Sequence, residues 1–281
     1  MQLVADYHTH TRFSHGLGTV EQNVRAAWRK GLSAVGITDH GPDSLFIGMH
    51  LSQIDRLRNQ AKRAEDRYGI KVLVGVEANV LSEDGTLDVP SAVLDRLDIL
   101  LAGIHFQVVP RNPATARLIY INVAARFDER LKEGARELNT RALVGAVERY
   151  PIDIVTHPGL RADIDTAELA IACRRNGTAL EINSSHRRMT PEYVRIAAVL
   201  GARFAIGSDA HSPQRVGDFE SALRIAEAAR LDARMVVNSR EGELTEKHEP
   251  SLVGGVDVGT TAGGYHHRHE RGRQDPSTQE P

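Results

Sequence analysis

Seven short apolar runs punctuate this chain, at 3–8, 34–40, 72–77, 99–105, 152–157, 179–183 and 204–211, and seven histidines, one glutamate and one aspartate sit at or just beyond their C-terminal ends. These side-chain types bind borderline and hard divalent metals, so a set repeated at one end of parallel strands can converge on a single pocket. That convergence constrains the fold. Neighbouring strands lie about 4.8 Å apart, so seven laid side by side in chain order would put the first and last on the order of 29 Å apart. Closing the sheet into a barrel brings every strand's C-terminal end onto one rim. An open sheet with a reshuffled strand order can also bring chosen ends together, so the barrel expectation is conditional on a shared site.

The segments between the runs carry helical spacing and caps. Thr19 and Gln22 form a capping box ahead of Val20, Val24, Ala27 and Trp28, and Gly31 supplies a stop. Ser52 opens a second helix along Ile54, Leu57, Ala61 and Ala64, with Gly69 as its end. Asp165 and Glu168 precede a helix through Leu169 and Cys173 to Gly177, Thr190-Pro191 starts one that runs to Gly201, and Phe219, Leu223, Ile225 and Ala226 mark a last one. Runs such as Ile99-Leu100-Leu101-Ala102 are continuously apolar, as parallel strands covered by helices are. The fold class is therefore α/β with a parallel sheet.

Two stretches break the alternation. Residues 106–142 form a long excursion with Pro110 and Pro113 near its start and a helical continuation from about Leu118. It falls where a barrel keeps its active-site loops and is a candidate lid. From about Arg240 the chain turns polar and Gly-rich with no apolar period, so we expect one catalytic domain over 1–239 and a disordered tail over 240–281.

With 281 residues and 41% apolar content, the chain can bury the one core that such a domain needs. Its 35 basic and 37 acidic residues leave a formal charge of -2, which offers no global field to attract a polyanion such as DNA. The lone cysteine, Cys173, rules out an intramolecular disulfide and a Cys-based zinc cluster, and fits a reducing compartment. The N-terminus lacks the features of a secretory signal and no apolar run approaches membrane-spanning length, so a cytoplasmic protein without a membrane partner is expected.

His8-Thr9-His10 places two imidazoles at i and i+2, on one face of a strand, and Asp209-Ala210-His211 repeats the spacing on the last run. Thr38-Asp39-His40, Gly75-Val76-Glu77 and Thr156-His157-Pro158 add further candidates after apolar runs that otherwise have no reason to carry charge. A single histidine at a strand end is ordinarily a hydrogen-bonded surface residue; the set carries the argument. Arg187, Arg188 and Arg215 fall in loops on the expected active rim, where a guanidinium fork suits a phosphate, although solvated surface charge explains each of them equally well. His186 follows Ser184-Ser185 and reads as an exposed loop histidine, while Asp39 either orients a ligand or caps the turn at Gly41.

The motifs Asp6-Tyr7-His8-Thr9-His10-Thr11, Ile37-Thr38-Asp39-His40-Gly41-Pro42, Gly75-Val76-Glu77-Ala78-Asn79, Thr156-His157-Pro158-Gly159, Glu181-Ile182-Asn183 and Gly207-Ser208-Asp209-Ala210-His211 together resemble the PHP family, named for its polymerase and histidinol-phosphatase members. They span residues 6–211 in the family's order, and the free-standing phosphoesterase branch is the most similar. The resemblance implies a distorted (β/α)7 barrel holding two to three divalent metals: zinc, manganese or iron. It implies that His8, His10, Glu77 and Asp209 hold one metal, that Glu77 bridges to a second held by His105 and His157, and that His15, His40 and His211 hold a third.

The expected activity is hydrolysis of a phosphate monoester of a small metabolite, with a water made acidic by the metals as nucleophile. Glu77 would act as the bridge, and His211 or Asp209 would pass a proton to the leaving alkoxide. The rival readings are a PHP-type nuclease acting on DNA and a non-catalytic metal-binding regulatory domain. The near-neutral charge weighs against the first and the complete ligand set against the second. No residue singles out one ester, one metal or an oligomeric state.

Overall fold

The computed structural model describes residues 1–186 and 188–242. Seven strands, β1 (Ala5–Asp6), β2 (Ala34–His40), β3 (Lys71–Asn79), β4 (Ile99–Gly103), β5 (Ile154–Val155), β6 (Ala179–Asn183) and β7 (Arg203–Gly207), pair in chain order, each with its neighbour in parallel. Between and after them run α1 (Val20–Arg29), α2 (Ile54–Tyr68), α3 (Ser91–Leu94), α4 (Pro113–Ala124), α5 (Lys132–Arg149), α6 (Thr166–Asn176), α7 (Pro191–Val199) and α8 (Glu220–Ala229). The caps act as the sequence implies: Thr19 and Gln22 form the reciprocal box, and Gly69 and Gly177 close their helices in the left-handed conformation, at φ 69 and 71. Among the described residues no helix is long and apolar enough to cross a membrane.

The sheet is a nearly closed seven-stranded barrel, because its two outer strands meet. Just beyond β1 and β7, Thr9 and Ala210 form a parallel bridge, with His10 N donating to Ala210 O at 2.9 Å. Deeper in the seam, buried Asn238 does the joining. Its Nδ2 donates to Ala5 O and Ile206 O, both at 2.8 Å, and its Oδ1 accepts from Ile206 N at 3.0 Å. Asp6 adds a second tie by accepting from Ser208 N at 3.2 Å and Gly217 N at 2.8 Å. Asn238 lies one residue inside the expected domain limit at 239, while most of the expected tail, from 243 onward, lies outside the described residues.

Alternation along the strands separates the two faces. Leu100 and Ala102 of β4 pack with the helices, while Ile99 and Leu101 join Ile154, Ala179 and Ala205 in a small second core inside the barrel. Continuing on the inward face by steps of two, β3 reaches Glu77 and β6 reaches Glu181 and Asn183, so one face that is apolar at its base becomes polar at its C-terminal end. Gly207 is required where these layers meet, since a Cβ there would collide with Glu181 Oε1.

Three sequence expectations change. The runs at 3–8 and 152–157 yield strands of only two residues each, β1 and β5. Beside β5, His157 turns into the left-handed region at φ 29 and stops the ladder, and beyond β1 the pairing survives only as the Thr9–Ala210 bridge. The helix expected from about Leu118 starts at Pro113, where Asn112 caps Thr115 N and the missing N–H of proline costs nothing in the first turn. The start of 106–142 is a wall of the barrel mouth: Leu45 N donates to Gln107 O at 2.7 Å and Val109 N to Asp43 O at 2.8 Å, lacing it to the loop after β2.

Asn238→Ala leaves Ile206 N–H and the carbonyls of Ala5 and Ile206 without these partners inside the seam. Each buried polar group left unpaired costs on the order of 1–3 kcal/mol, so we expect a loss of a few kcal/mol and a clearly lower urea midpoint. An unchanged midpoint would mean that the barrel closes without this side chain.

Candidate metal centre

The two histidines after β1 are aimed by the residue between them. Thr9 turns to the opposite side, its Oγ1 donating to Gly36 O at 2.6 Å and its N to Thr38 Oγ1 at 3.2 Å, which leaves His8 and His10 side by side with ring centroids 5.0 Å apart. His8 Nδ1 donates to Glu181 Oε1 at 2.7 Å, so its Nε2 faces the barrel mouth. The other carboxylate oxygen of Glu181 accepts from His157 N at 2.7 Å and from Asn183 Nδ2 at 2.9 Å. One buried acid thus sets a ligand candidate on each side of the mouth.

Glu77, buried at the end of β3, stands among five imidazoles. Its Oε1 lies 2.9 Å from His157 Nε2 and 3.3 Å from His105 Nε2. Its Oε2 lies 2.8 Å from His40 Nδ1, 3.5 Å from His8 Nε2 and 3.7 Å from His10 Nε2. Asp209 enters from the seam side in a left-handed conformation at φ 52, with Oδ1 3.3 Å from His10 Nε2, 3.7 Å from His8 Nε2 and 3.4 Å from His211 Nδ1. His15 lies beside this group, its ring 4.3 Å from His211 and 4.9 Å from His40.

All nine residues expected as ligands therefore meet at one mouth. His8, His10 and Asp209 offer donor atoms within 4.8 Å of one another, as do His10, His40 and His211, and His40, Glu77 and His105. His40 lies closer to Glu77 than a third, separate set implies. His8 Nε2, both ring nitrogens of His10, Glu77 Oε2 and His105 Nδ1 are buried without a hydrogen-bond partner. So many buried polar atoms without partners in one place are rare in proteins, and four of the five belong to atoms or rings turned towards Glu77 and Asp209; divalent cations fit that donor set.

The charges suit cation binding. Burial by itself raises the Glu77 carboxyl, but His8 and His105 outweigh it and hold the group well below the usual carboxylate range. Asp209 is likewise raised by burial and brought well below its usual value by His8 and His10. Burial pushes His10 far down, and it brings His15 to about 4 with help from His211 and His40, so both rings are neutral and ready to bind a metal.

The loop carrying His15 is shaped by Asp39, which accepts from Thr11 N and Oγ1, each at 2.7 Å, and from Ser14 N at 3.2 Å. Of the two roles open to Asp39, it takes the one that orients a ligand-bearing loop. Above the centre lies a cavity of about 260 Å³ lined by nine polar residues and by Ile47, Ile104, Phe106, Leu160 and Arg161. Arg188 and Arg215 do not line it. Arg215 reaches Ser185 Oγ at 3.1 Å and Asp218 at 3.4 Å, and Arg187 lies outside the described residues. The sequence weighs His186 as substrate-facing or as an exposed loop histidine and passes over Arg161, yet both line the cavity. His186 lies 3.4 Å from Asp209 Oδ2, and Arg161 follows His157 by four residues on the loop after β5, a place the rim argument already marks.

A PHP domain model matches residues 6–233. The chain belongs to the PHP domain family. A protein named probable phosphatase from Thermoanaerobacter sp. (strain X514) is 32% identical over 269 residues, which cover 92% of this chain and all of that protein. One of the same name from Shewanella sediminis is 33% identical over 256 residues, covering 87% and 94%. Among solved structures, histidinol phosphate phosphatase from Lactococcus lactis, in complex with zinc, L-histidinol and phosphate, shares the fold with a TM-score of 0.53 and 15% identity, over 82% of this chain and 94% of that one. The PHP match runs from the last residue of β1 through β7 and takes in every residue of the centre.

Metal uptake should release protons. Burial pulls His8 down, yet Glu181, Glu77 and Asp209 hold it well above the usual imidazole value, and His157 is raised against burial by Glu77. A cation must displace those protons, so apparent affinity rises with pH through neutrality. Calorimetric titration in buffers of different ionisation enthalpy reads the release directly. Affinity that is flat with pH, with no proton exchanged, would contradict this electrostatic picture.

Proposed function

We propose that this protein is a cytoplasmic metal-dependent phosphatase that hydrolyses the phosphate monoester of a small metabolite, using two to three divalent ions of zinc, manganese or iron. The observation that carries the reading is the division of Glu77: one oxygen faces His105 and His157, the other faces His8, His10 and His40, with Asp209 across from it. A carboxylate so placed is a bridge between two cations. The name borne by the Thermoanaerobacter and Shewanella relatives supports phosphate-ester chemistry.

When bound, the metals supply Lewis acidity, neutralising phosphoryl charge and lowering the pKa of a water. The chain's own residues do the rest. His8, His10, Asp209 and Glu77 would hold one ion, Glu77, His105 and His157 a second, and His15, His40 and His211 a third. Asp209 is ionised near neutrality and has no proton to give. His211 lines the cavity with Nδ1 donating to Asp209 O at 3.1 Å, so only its Nε2 is left, either to hold the third ion or, in a protein with two ions, to serve the leaving oxygen. Ile47, Phe106 and Leu160 offer apolar contact to the leaving group.

A small substrate is favoured over a nucleic-acid strand by what the excursion does with its charge. Residues 106–142 hold seven basic and four acidic side chains. Arg111 pairs with Asp43, Arg117 and Arg141 with Glu83, Arg130 with Asp128, Lys132 with Glu129 and Arg136 with Asp165. Arg126 lies over the Phe106 ring at 5.7 Å. Acids from outside the segment, Asp43, Glu83 and Asp165, take up the local excess and leave no basic track for phosphates.

Two outcomes are expected. Fully active protein carries two to three metals per chain by elemental analysis, and Glu77→Gln lowers turnover by about a hundredfold or more; one metal or fewer, or near-normal turnover of the variant, would remove the bridge. In a direct contest at one metal and salt concentration, kcat/KM for a panel of phosphorylated metabolites exceeds that for single- and double-stranded oligonucleotides. Preference for DNA, weakening steeply with salt, would replace the phosphatase with a nuclease on the same metals.

A further inference from the structure

The cavity above the centre has two unlike halves. One is the metal-binding floor. The other holds the apolar Ile47, Ile104, Phe106 and Leu160 together with the uncharged Ser44 and Gln107, and Arg161 lines the cavity as well. Asp209 is the sole carboxylate among the described lining residues, and it belongs to the floor. The half that receives the leaving group therefore offers a cation and no anion.

Arg161 has no evident duty to the fold. It makes no hydrogen bond or ion pair with a described residue, whereas Arg111, Arg117 and Arg136 are each matched to an acid. Its backbone is held in the left-handed region at φ 60, as the last of three such residues in a five-residue turn with His157 at φ 29 and Gly159 at φ 86. A non-glycine residue pays in strain for that conformation, and no hydrogen bond or ion pair of its side chain with a described residue offsets it. The turn begins at a ligand candidate and ends at a guanidinium beside apolar walls. Arg161 is exposed, and so open to an anion through a charge-assisted hydrogen bond.

Resting on the phosphatase reading, we infer that Arg161 is a specificity residue: the substrate is a compact phosphate monoester whose leaving group has an apolar body and a second anionic group, a carboxylate or a second phosphate, paired by this guanidinium. The cavity, at about 260 Å³, limits that body to a single ring or a chain of similar bulk. An ammonium on the leaving group meets Arg161 with like charge and finds no acid to offset it.

The test uses the full chain loaded with metal and four aryl phosphates: phenyl phosphate, 4-carboxyphenyl phosphate, benzene-1,4-diyl bisphosphate and 4-(aminomethyl)phenyl phosphate. Comparing each ester between wild type and variant cancels differences in leaving-group reactivity. Arg161→Gln lowers kcat/KM for the carboxylate or the bisphosphate ester on the order of tenfold more than for phenyl phosphate, and whichever ester suffers names the anion. Arg161→Lys keeps part of the preference, and Arg161→Glu turns it towards the ammonium ester. Calorimetric binding of the matching non-hydrolysable phosphonates follows the same order. An equal loss on all four esters would assign Arg161 to the transferred phosphoryl group, and no change on any would leave it idle; either overturns the inference. If metal-loaded wild type turns over none of the esters, the phosphatase reading fails, and phosphonate binding still decides the role of Arg161.

Discussion

A carboxylate buried among imidazoles is the constraint on which the rest of this molecule turns. Glu77 is almost wholly inside the protein, and an ionised acid there is costly unless positive charge surrounds it. The surrounding charge comes from far apart in the sequence: His8 and His10 from just beyond the first strand, His40 from the end of the second, and His105 and His157 from just beyond the fourth and fifth. No short segment could assemble that shell. With the strands paired in chain order, a closed ring that carries every C-terminal end on one rim puts these groups around one oxygen pair.

Closure has its own requirements, met by residues that do no chemistry. Asp6 ties β1 to the turn after β7, Asn238 fills the seam below, and the Thr9–Ala210 bridge pins the two i, i+2 ligand pairs to each other. The same bridge explains why β1 can be only two residues long without loosening the site: the chain past Asp6 is held by cross-seam bonds instead of a ladder. At His157 and Asp209 the backbone departs from strand geometry into the left-handed region, turning each side chain into the mouth. Such strain persists only where the surroundings hold it, and here Glu181 on His157 N and Asn183 on Asp209 Oδ2 help to do so.

The legible part of this design was whatever depends on residue type and period. Apolar runs gave the strands, caps gave most of the helices, and the nine ligand candidates were visible because charge at the end of an apolar run is unusual. The ends of β1 and β5 were not legible, since they depend on where a ladder yields to a strained ligand. Pro113 looked like loop punctuation, yet Asn112 before it makes it a helix start. Asn238 carried no signal at all: its value lies in three backbone partners from strands more than thirty positions away or at the other end of the chain. The arginines failed for a related reason. Sequence places Arg215 and Arg161 alike on rim loops, and only the structure shows that Arg215 is spoken for by Asp218 and Ser185 while Arg161 is not.

The rim also divides its labour. The loops after β1 and β7 that carry ligands are locked by buried acids, Asp39 and Asp6, so the metal floor has little freedom. The apolar wall hangs on different anchors. Asp88, whose carboxyl burial pushes up to about 6, accepts from Asn79 N at 2.8 Å and Asp43 N at 3.1 Å, and Asp43 in turn holds Arg111 at the start of the excursion. Loop 41–49 and segment 106–111 are therefore joined to each other and to β3 by a network that shares no side chain with the ligand candidates. A change of side chain at Ile47, Phe106 or Arg161 alters what the cavity accepts and leaves the hydrogen bonds that aim His8, His15 and His157 as they are. Substrate choice and metal chemistry are carried by separate sets of contacts on one barrel.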